Sequence, residues 1–542
     1  AARIVEKVRV NPGNYADKKK FESLDYSDAG YIAELERIRE RFTPLVKICK
    51  EYGTAMRIGT NHGSLSDRIL SRYGDTPLGM VESALEFLRI CEDNNYYNIV
   101  LSMKASNAHV MVQAYRLLIQ KMQEENMNYP LHLGVTEAGD GEDGRIKSAV
   151  GIGALLEDGI GDTIRVSLTE DPEFEIPVAK NLVQRYNNRA GHQFIPEVTE
   201  LPYSPYDYKK RETIEVENIG GHHVPRVIAD FSEKQAIKPA TFFAVGYNYS
   251  IPLDKWNLSD QACDYIFVGD NDVDFEIPGT LGLIYNESSW KVLKDKTRCY
   301  PLFDVEQYAT ANETSEELNF ISLSIDTVTN SSFFPDLMKE IKKNNVVFVV
   351  ETSNEHGMAE QRRIFIEFLK NQCKVPVIIK RTYKNISEEQ FQLHASTDNG
   401  ALLLDGFGDG IWIKQYNSTA PKNVNSTAFG ILQATRTRIS KTEYISCPSC
   451  GRTLFDLQET TAKIRTRTDH LKGVKIGIMG CIVNGPGEMA DADYGYVGTG
   501  VGKITLYKGR EVVERNINSE KAVDALIELI KKHGDWIEKE TH

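Results

Sequence analysis

Eight cysteines in 542 residues are too few for a disulfide framework. Five of them, Cys49, Cys91, Cys263, Cys299 and Cys373, are scattered through apolar or helical surroundings and read as buried thiols in a reducing compartment. No apolar run approaches the roughly 18 residues that a membrane-spanning helix needs, and the N-terminus lacks the charged-then-apolar form of a secretory signal. A soluble chain without a membrane partner is expected. Positive charge is also short: 64 Lys and Arg face 77 Asp and Glu, a formal charge of −13. That argues against a nucleic-acid partner held by phosphate neutralisation, but leaves room for a local basic pocket around a small anion. The rest is ordinary globular composition, 41% hydrophobic and 26% charged, at a length that suits roughly two to four domains.

From residue 3 to about 187, short β-rich runs alternate with amphipathic helical stretches, the pattern of βα units on a parallel sheet. Strands are expected over 7–12, 55–61, 98–106, 131–138 and 163–169, and helices over 31–53 and 78–93. Each strand ends in polar residues: Arg9, Asn11 and Asn14; Arg57, Asn61 and Ser64; Lys104 and Ser106; Glu137; Arg165 and Ser167. A β/α barrel builds its active site at the C-terminal ends of its strands, so the recurrence reads as a barrel mouth. Polar strand ends often only cap loops, but five in succession weaken that reading. Arg9, Arg57, Lys104 and Arg165 could clamp phosphate oxygens, Arg through forked donors and Lys as a point charge, with Asn61 beside them. Glu137, facing those cations, is the candidate for proton transfer. A full barrel has eight strands, so the sequence is expected to begin at the fourth, with on the order of 90 residues of barrel before it, unless another segment closes the ring.

Residues 188–222 carry Pro, Tyr and charge without periodicity and read as a linker. Beyond them the first segment recurs. NIVLSMKASN (98–107) returns as NVVFVVETSN (345–354), YPLHLGVTEA (129–138) as VPVIIKRTYK (375–384), and LLEDGIGDTIRV (155–166) as LLLDGFGDGIWI (402–413). The offset stays at about 247 residues, close to one whole barrel, so 223–437 is expected to be a second, divergent barrel. At matched positions Lys104 becomes Glu351, Glu137 becomes Tyr383, Arg165 becomes Trp412 and Ser167 becomes Lys414. Those exchanges are hostile to a phosphate, so the first barrel is expected to hold the ligand and the second to act as a spacer.

The stretch 447–488 opens with CPSCGRTLFD and closes with GCIVNGPGE. It places Cys447 and Cys450 in a Cys-x-x-Cys pair, Cys481 about thirty residues on, and Glu488 in a Gly/Pro turn. A structural zinc site usually completes four Cys or His ligands. No Cys follows 481, and the nearest His, His470, falls in an expected helix over 453–471; zinc and unligated core thiols stay open as readings. An iron–sulfur cluster tolerates a weak oxygen donor such as Glu488 in fourth place and would keep one iron exchangeable, which suits a catalytic cluster. An expected strand (475–480), hairpin (503–517) and helix (520–533) make this end a small α+β domain. Two signals are set aside: GTGVGK (498–503) lacks the first Gly and the final Ser or Thr of a phosphate loop, and His222-His223 make a weak metal pair.

CPSCGRTLFD and GCIVNGPGEMADADYGYVG, with VRVNPGN, MRIGTNHGSLSDR, MKASN, LHLGVTEAG and GDTIRVSL in that order, resemble the 4-hydroxy-3-methylbut-2-enyl-diphosphate synthase family of the non-mevalonate isoprenoid pathway. The resemblance covers 3–187 and 440–542; the middle resembles the extra domain of the family's large, three-domain form, found in plastids and some bacteria. It implies an α/β chain: a TIM-type β/α barrel, incomplete at its N-terminus (1–187), a linker (188–222), a divergent barrel-like insert (223–437) and a [4Fe-4S] domain (438–542). It further implies Cys447, Cys450, Cys481 and Glu488 as cluster ligands, and Arg9, Asn14, Arg57, Lys104 and Ser167 as binders of a cyclic diphosphate. Glu137 would be the acid/base group, and Asn484 would reach the substrate from the cluster side. The implied reaction is the two-electron reductive ring opening of 2-C-methyl-D-erythritol 2,4-cyclodiphosphate with loss of water, Glu488 yielding its iron to a substrate oxygen. A small ferredoxin or flavodoxin would deliver the electrons, in a bacterial cytoplasm or a plastid stroma. The rival from the residues alone is a zinc-stapled barrel that binds a phosphorylated ligand without redox chemistry. Two-domain members of the family cap the barrel of a partner subunit, so either a homodimer or a cluster folded over its own barrel is expected.

Overall fold

Three parallel strands, β1 (Lys7–Val10), β2 (Ala55–Asn61) and β3 (Ile99–Lys104), open the chain as one sheet in that order. A bridge between Leu101 and Leu131 carries the arc on to β4 (His132–Leu133), which pairs in parallel with β5 (Thr163–Ile164). The helices between them start and stop where local chemistry allows. α1 (Asp28–Tyr52) is capped by the Ser27 hydroxyl, which accepts the Gly30 N–H, and it ends on Gly53 at φ +70°. α2 (Asp67–Tyr73), α3 (Pro77–Asp93) and α4 (Ala108–Glu124) take caps from Ser66, Thr76 and Asn107. α5 (Gly141–Glu157) follows β4 and buries its face through Ile146, Val150 and Ile152. This computed structural model describes residues 1–17, 26–187, 191–329, 334, 337, 341, 345–416, 419–448, 452–482 and 485–539. It divides into two units, one of residues 1–180, 205–207 and 441–542, the other of 181–204 and 208–440.

The first three strands and two helices agree with their expected positions to within a few residues, whereas β4 and β5 shrink to two residues each. The reason is local: Glu137 stands at φ +48° and Gly139 at φ +98°, so the chain leaves the extended region soon after Leu133.

In the second unit, a hairpin of β6 (Glu215–Val216) and β7 (Ile219–Gly220) precedes β8 (Arg226–Asp230). An inserted antiparallel pair follows, β9 (Tyr247–Ser250) with β10 (Lys255–Leu258). Then come β11 (Tyr265–Gly269), β12 (Gly282–Asn286), β13 (Cys299–Phe303), β14 (Asn319–Leu323), β15 (Val346–Glu351), β16 (Val377–Tyr383) and β17 (Gly410–Gln415). β8 and β11 to β17 form a closed parallel barrel, β17 returning to pair with β8. Part of the expected linker belongs to this unit: Val216 and Ile219 join the interior cluster of Ile228, Ile284, Val349 and Ile378, and buried Arg211 donates to the carbonyls of Cys373 and Val375, both at 2.7 Å. Its mouth cations are paired internally, Lys380 with Glu351 at 2.8 Å and Lys414 with Glu233 at 3.1 Å.

The chain then returns to the first unit. β18 (Glu443–Ser446), β19 (Lys475–Met479) and β20 (Tyr494–Gly500) run parallel, and β21 (Lys503–Lys508) and β22 (Glu511–Asn518) continue the sheet antiparallel. Ile476, Ile478, Tyr494 and Tyr496 pack against Leu526 and Ile530 of the helix Ser519–Lys532. No helix among the described residues is long and apolar enough to cross a membrane.

Candidate active site

The parallel register of β1 and β2 sets Arg9 beside Arg57, and that of β2 and β3 sets Asn61 beside Lys104. Arg9 is solvent-exposed as a whole, but Nη2 donates to the Gly59 carbonyl (3.1 Å) and to Asn61 Oδ1 (2.9 Å), which hold the guanidinium inside the mouth. Desolvation there, then repulsion from Arg57, Arg165 and Arg452, lowers its pKa to about 10. Burial, then Arg165, lowers that of Arg57 as well. Lys104 is 3% exposed, and among the described residues its Nζ has no hydrogen-bond partner. Burial first, then Arg165, Arg57 and Arg9, push its ammonium down to about 7 against the pull of Glu137. Two glycines make room for this crowding: a Cβ on Gly59 would lie 2.8 Å from Arg9 Nε, and one on Gly134 2.8 Å from Lys104 Nζ.

Arg165 Nη2 donates to Ser167 Oγ at 3.3 Å, and Ser167 is buried. Glu137 is buried too, in its left-handed backbone conformation. Asn14, itself exposed, ends a 3-10 turn (Pro12–Asn14) whose other two residues are buried, and no contact among the described residues joins it to the cations. Four cations therefore converge with Glu137 as the acid that acts on them, an arrangement that asks for a multiply charged anion.

The C-terminal sheet covers this mouth from the same unit. Cys447 follows β18 and Cys481 lies just beyond β19; the two strands are parallel neighbours, and Gly480 N–H donates to Cys447 Sγ at 3.3 Å. Amide donation to sulfur favours thiolate character, which suits a metal-bound cysteine. Glu488, 6% exposed, closes the short helix Gly485–Glu488. Cys450 and Asn484 lie outside the described residues, and among those described no three His, Cys, Asp or Glu side chains gather as a metal site. One residue before Glu488, the backbones of Gly487 and Gly63 touch: a Cβ on Gly487 would fall 2.3 Å from the Gly63 carbonyl oxygen. Ser106 Oγ donates to Asp491 at 3.1 Å, and Asp75 takes both His62 (3.0 Å) and Arg510 (2.6 Å). The cap thus closes over strands of its own chain.

Family models described as the GcpE TIM-barrel domain and the GcpE protein C-terminal domain match residues 1–180 and 443–532. A 4-hydroxy-3-methylbut-2-en-1-yl diphosphate synthase (flavodoxin) of Parabacteroides distasonis is 52% identical over 540 residues, 99% of this chain and 84% of the relative. The chain belongs to the GcpE family. Proteins of the same name from Bacteroides fragilis (48% identical, 99% of this chain and 82% of the relative) and Leptospira interrogans (45%, 99% and 83%) match it over nearly its whole length.

Three residues of this GcpE site escaped the sequence reading. Arg452, which follows the Cys-x-x-Cys pair, depresses Arg9 from the cap side; its place in CPSCGR was the available signal. His132 on β4 is pushed down to about 4 by burial, then by Lys104 and Arg57. Thr169 sits at the junction of barrel and cap and carried no signal.

Proposed function

We propose that this chain forms 4-hydroxy-3-methylbut-2-enyl diphosphate from 2-C-methyl-D-erythritol 2,4-cyclodiphosphate. Two electrons and two protons enter, the carbon–oxygen bond that joins the ring to one phosphate breaks, and one hydroxyl leaves as water. The observation that carries the reading is the unpaired Lys104 Nζ, buried among Arg9, Arg57 and Arg165 under a cap that brings thiols and a carboxylate.

Arg9, Arg57, Lys104 and Arg165 take the phosphate oxygens, with Asn14, Asn61, Ser167 and, from the cap, Asn484 as further polar contacts. Glu137 is placed to pass a proton to the departing hydroxyl, and its buried, fixed backbone keeps the carboxyl from turning to solvent. The Gly63–Gly487 contact lets the cap seat tightly enough to keep bulk water out. The donor set and the Gly480 bond to Cys447 suit a [4Fe-4S] cluster, which Cys447, Cys450, Cys481 and Glu488 would hold. Such a cluster supplies electrons one at a time, here from a flavodoxin, the donor in the relatives' names. The insert, its mouth cations already neutralised by Glu351 and Glu233, serves as a spacer without a phosphate site. A bacterial cytoplasm would keep the thiols reduced.

Protein purified anaerobically should be brown, contain about four iron and four sulfide per chain, and convert the cyclic diphosphate with reduced flavodoxin. A colourless protein carrying only zinc, with no turnover, would sink the proposal.

A further inference from the structure

One strand end of the barrel joins the cation cluster to the C-terminal sheet. Arg165 and Ser167 face the diphosphate site, and two residues on, Thr169 leaves it in two directions. Its backbone N–H donates to the Gly139 carbonyl at 2.9 Å, fixing the turn that starts at Glu137. Its Oγ1 lies 2.7 Å from Ser446 Oγ, 3.2 Å from the Ser446 carbonyl and 3.3 Å from the Cys447 carbonyl. Thr169 and Ser446 are both almost fully buried, at 2% and 1% exposure, so water does not replace these bonds. Next in sequence, Glu170 accepts from Gly141 N–H (2.8 Å) and from both Nη atoms of Arg145, gripping the far end of the same turn.

The neighbouring helix reinforces the joint. Asp140, just before α5, and Asp143 and Lys147 within it share one face and meet the cap: Asp140 with Arg465 (2.5 Å), Asp143 with Lys441, and Lys147 with Glu443 (3.0 Å, both buried). These pairs hold the cap against the barrel along α5. Thr169 alone among them reaches the backbone of Cys447, and it also holds the Glu137 turn.

We propose that Thr169 is a positioning residue for the reaction: its hydroxyl sets the Ser446–Cys447 backbone, and its amide sets the Glu137 turn, so that the electron-delivering and proton-delivering groups keep one fixed separation. The inference rests on the proposed function for the roles of Cys447 and Glu137, but the hydrogen-bond junction itself does not. Thr169→Val removes the hydroxyl that three oxygens share while preserving shape and the backbone amide. Thr169→Ser keeps the hydroxyl. Ser446→Ala leaves Thr169 its two carbonyl acceptors, and so should act more mildly.

The test uses the full chain in two states. In the metal-free chain, hydrogen exchange over 443–447 should quicken at least tenfold in Thr169→Val and return to the wild-type rate in Thr169→Ser. In the reconstituted enzyme, Thr169→Val should lower kcat about 10- to 100-fold with KM for the cyclic diphosphate within about twofold. The electron paramagnetic resonance signal of the reduced protein should also shift, and Thr169→Ser should restore both. Unchanged exchange, or a Thr169→Val enzyme with wild-type kcat and signal, overturns the proposal, as does equal damage from Ser446→Ala. If the wild-type protein itself neither binds iron nor turns over, the functional reading fails, and the exchange experiment still decides whether Thr169 fixes the cap strand.

Discussion

Lys104 carries the highest electrostatic cost in the mouth, and its titration makes that cost measurable. Its folded pKa of about 7 lies below the ordinary 10.5, so between those values the unfolded chain holds more protons and ligand-free stability rises with pH across that window. A bound diphosphate reverses the balance by favouring the ammonium. At pH 8, where the phosphodiester groups of the cyclic diphosphate do not titrate, binding should take up close to one proton, read by calorimetry in two buffers of different ionisation heat. Lys104→Met should abolish that uptake and weaken binding about 10- to 100-fold, the loss of one charge-assisted bond. Zero uptake by the wild-type protein would refute a neutral resting lysine. Arg9, Arg57, Lys104 and Arg165 were legible in the sequence because the ends of parallel strands recur at βα spacing. Arg452 and Thr169 were not: each works through a neighbour that only folding supplies.

Secondary elements were legible where periodicity was intact. β18, the four-residue EYIS, is too short to show a period, and β20 was missed for a packing reason. In YGYVGTG, Gly495 is needed because Met489 Sδ lies 2.0 Å from where its Cβ would be, and Gly477 on β19 faces the same side chain at 2.3 Å. A strand built to accommodate a methionine reads as a loop. Asp140, Asp143 and Lys147 carry no signal in the sequence, because the partners that make them a seam, Arg465, Lys441 and Glu443, lie about 300 residues away. The Gly63–Gly487 contact supports a prediction at this level. Gly487→Ala would force a methyl group into backbone, which cannot swing aside as a side chain can. We expect kcat to fall about 100-fold with little change in melting temperature, since each core is intact. Normal iron content would show that the loss comes from a cap held off the mouth, and wild-type kcat would show that the contact is dispensable.

For the molecule as a whole, the repeat offset read from sequence recurs in the structure: β15 and β17 begin about 247 residues after β3 and β5. What sequence left open was whose barrel the C-terminal domain covers, because residues at both ends of a chain look the same whether they meet within one copy or between two. Here residues 1–180 and 441–542 form one unit. Mixing Lys104→Met with Cys481→Ala, at a substrate concentration too low for either alone to turn over appreciably, should therefore restore no activity; recovery of roughly a quarter would indicate caps exchanged between subunits. The seam also sets a timetable for synthesis. Thr169 and Lys147 meet partners 277 and 296 residues further along. At roughly 5–20 residues per second the ribosome needs on the order of 15 to 60 s to deliver them. During that interval the arc of strands waits with its buried hydroxyl and ammonium unmatched, and the insert is made and can close its own ring first. Loss of chaperone access over that interval should lower the yield of active protein.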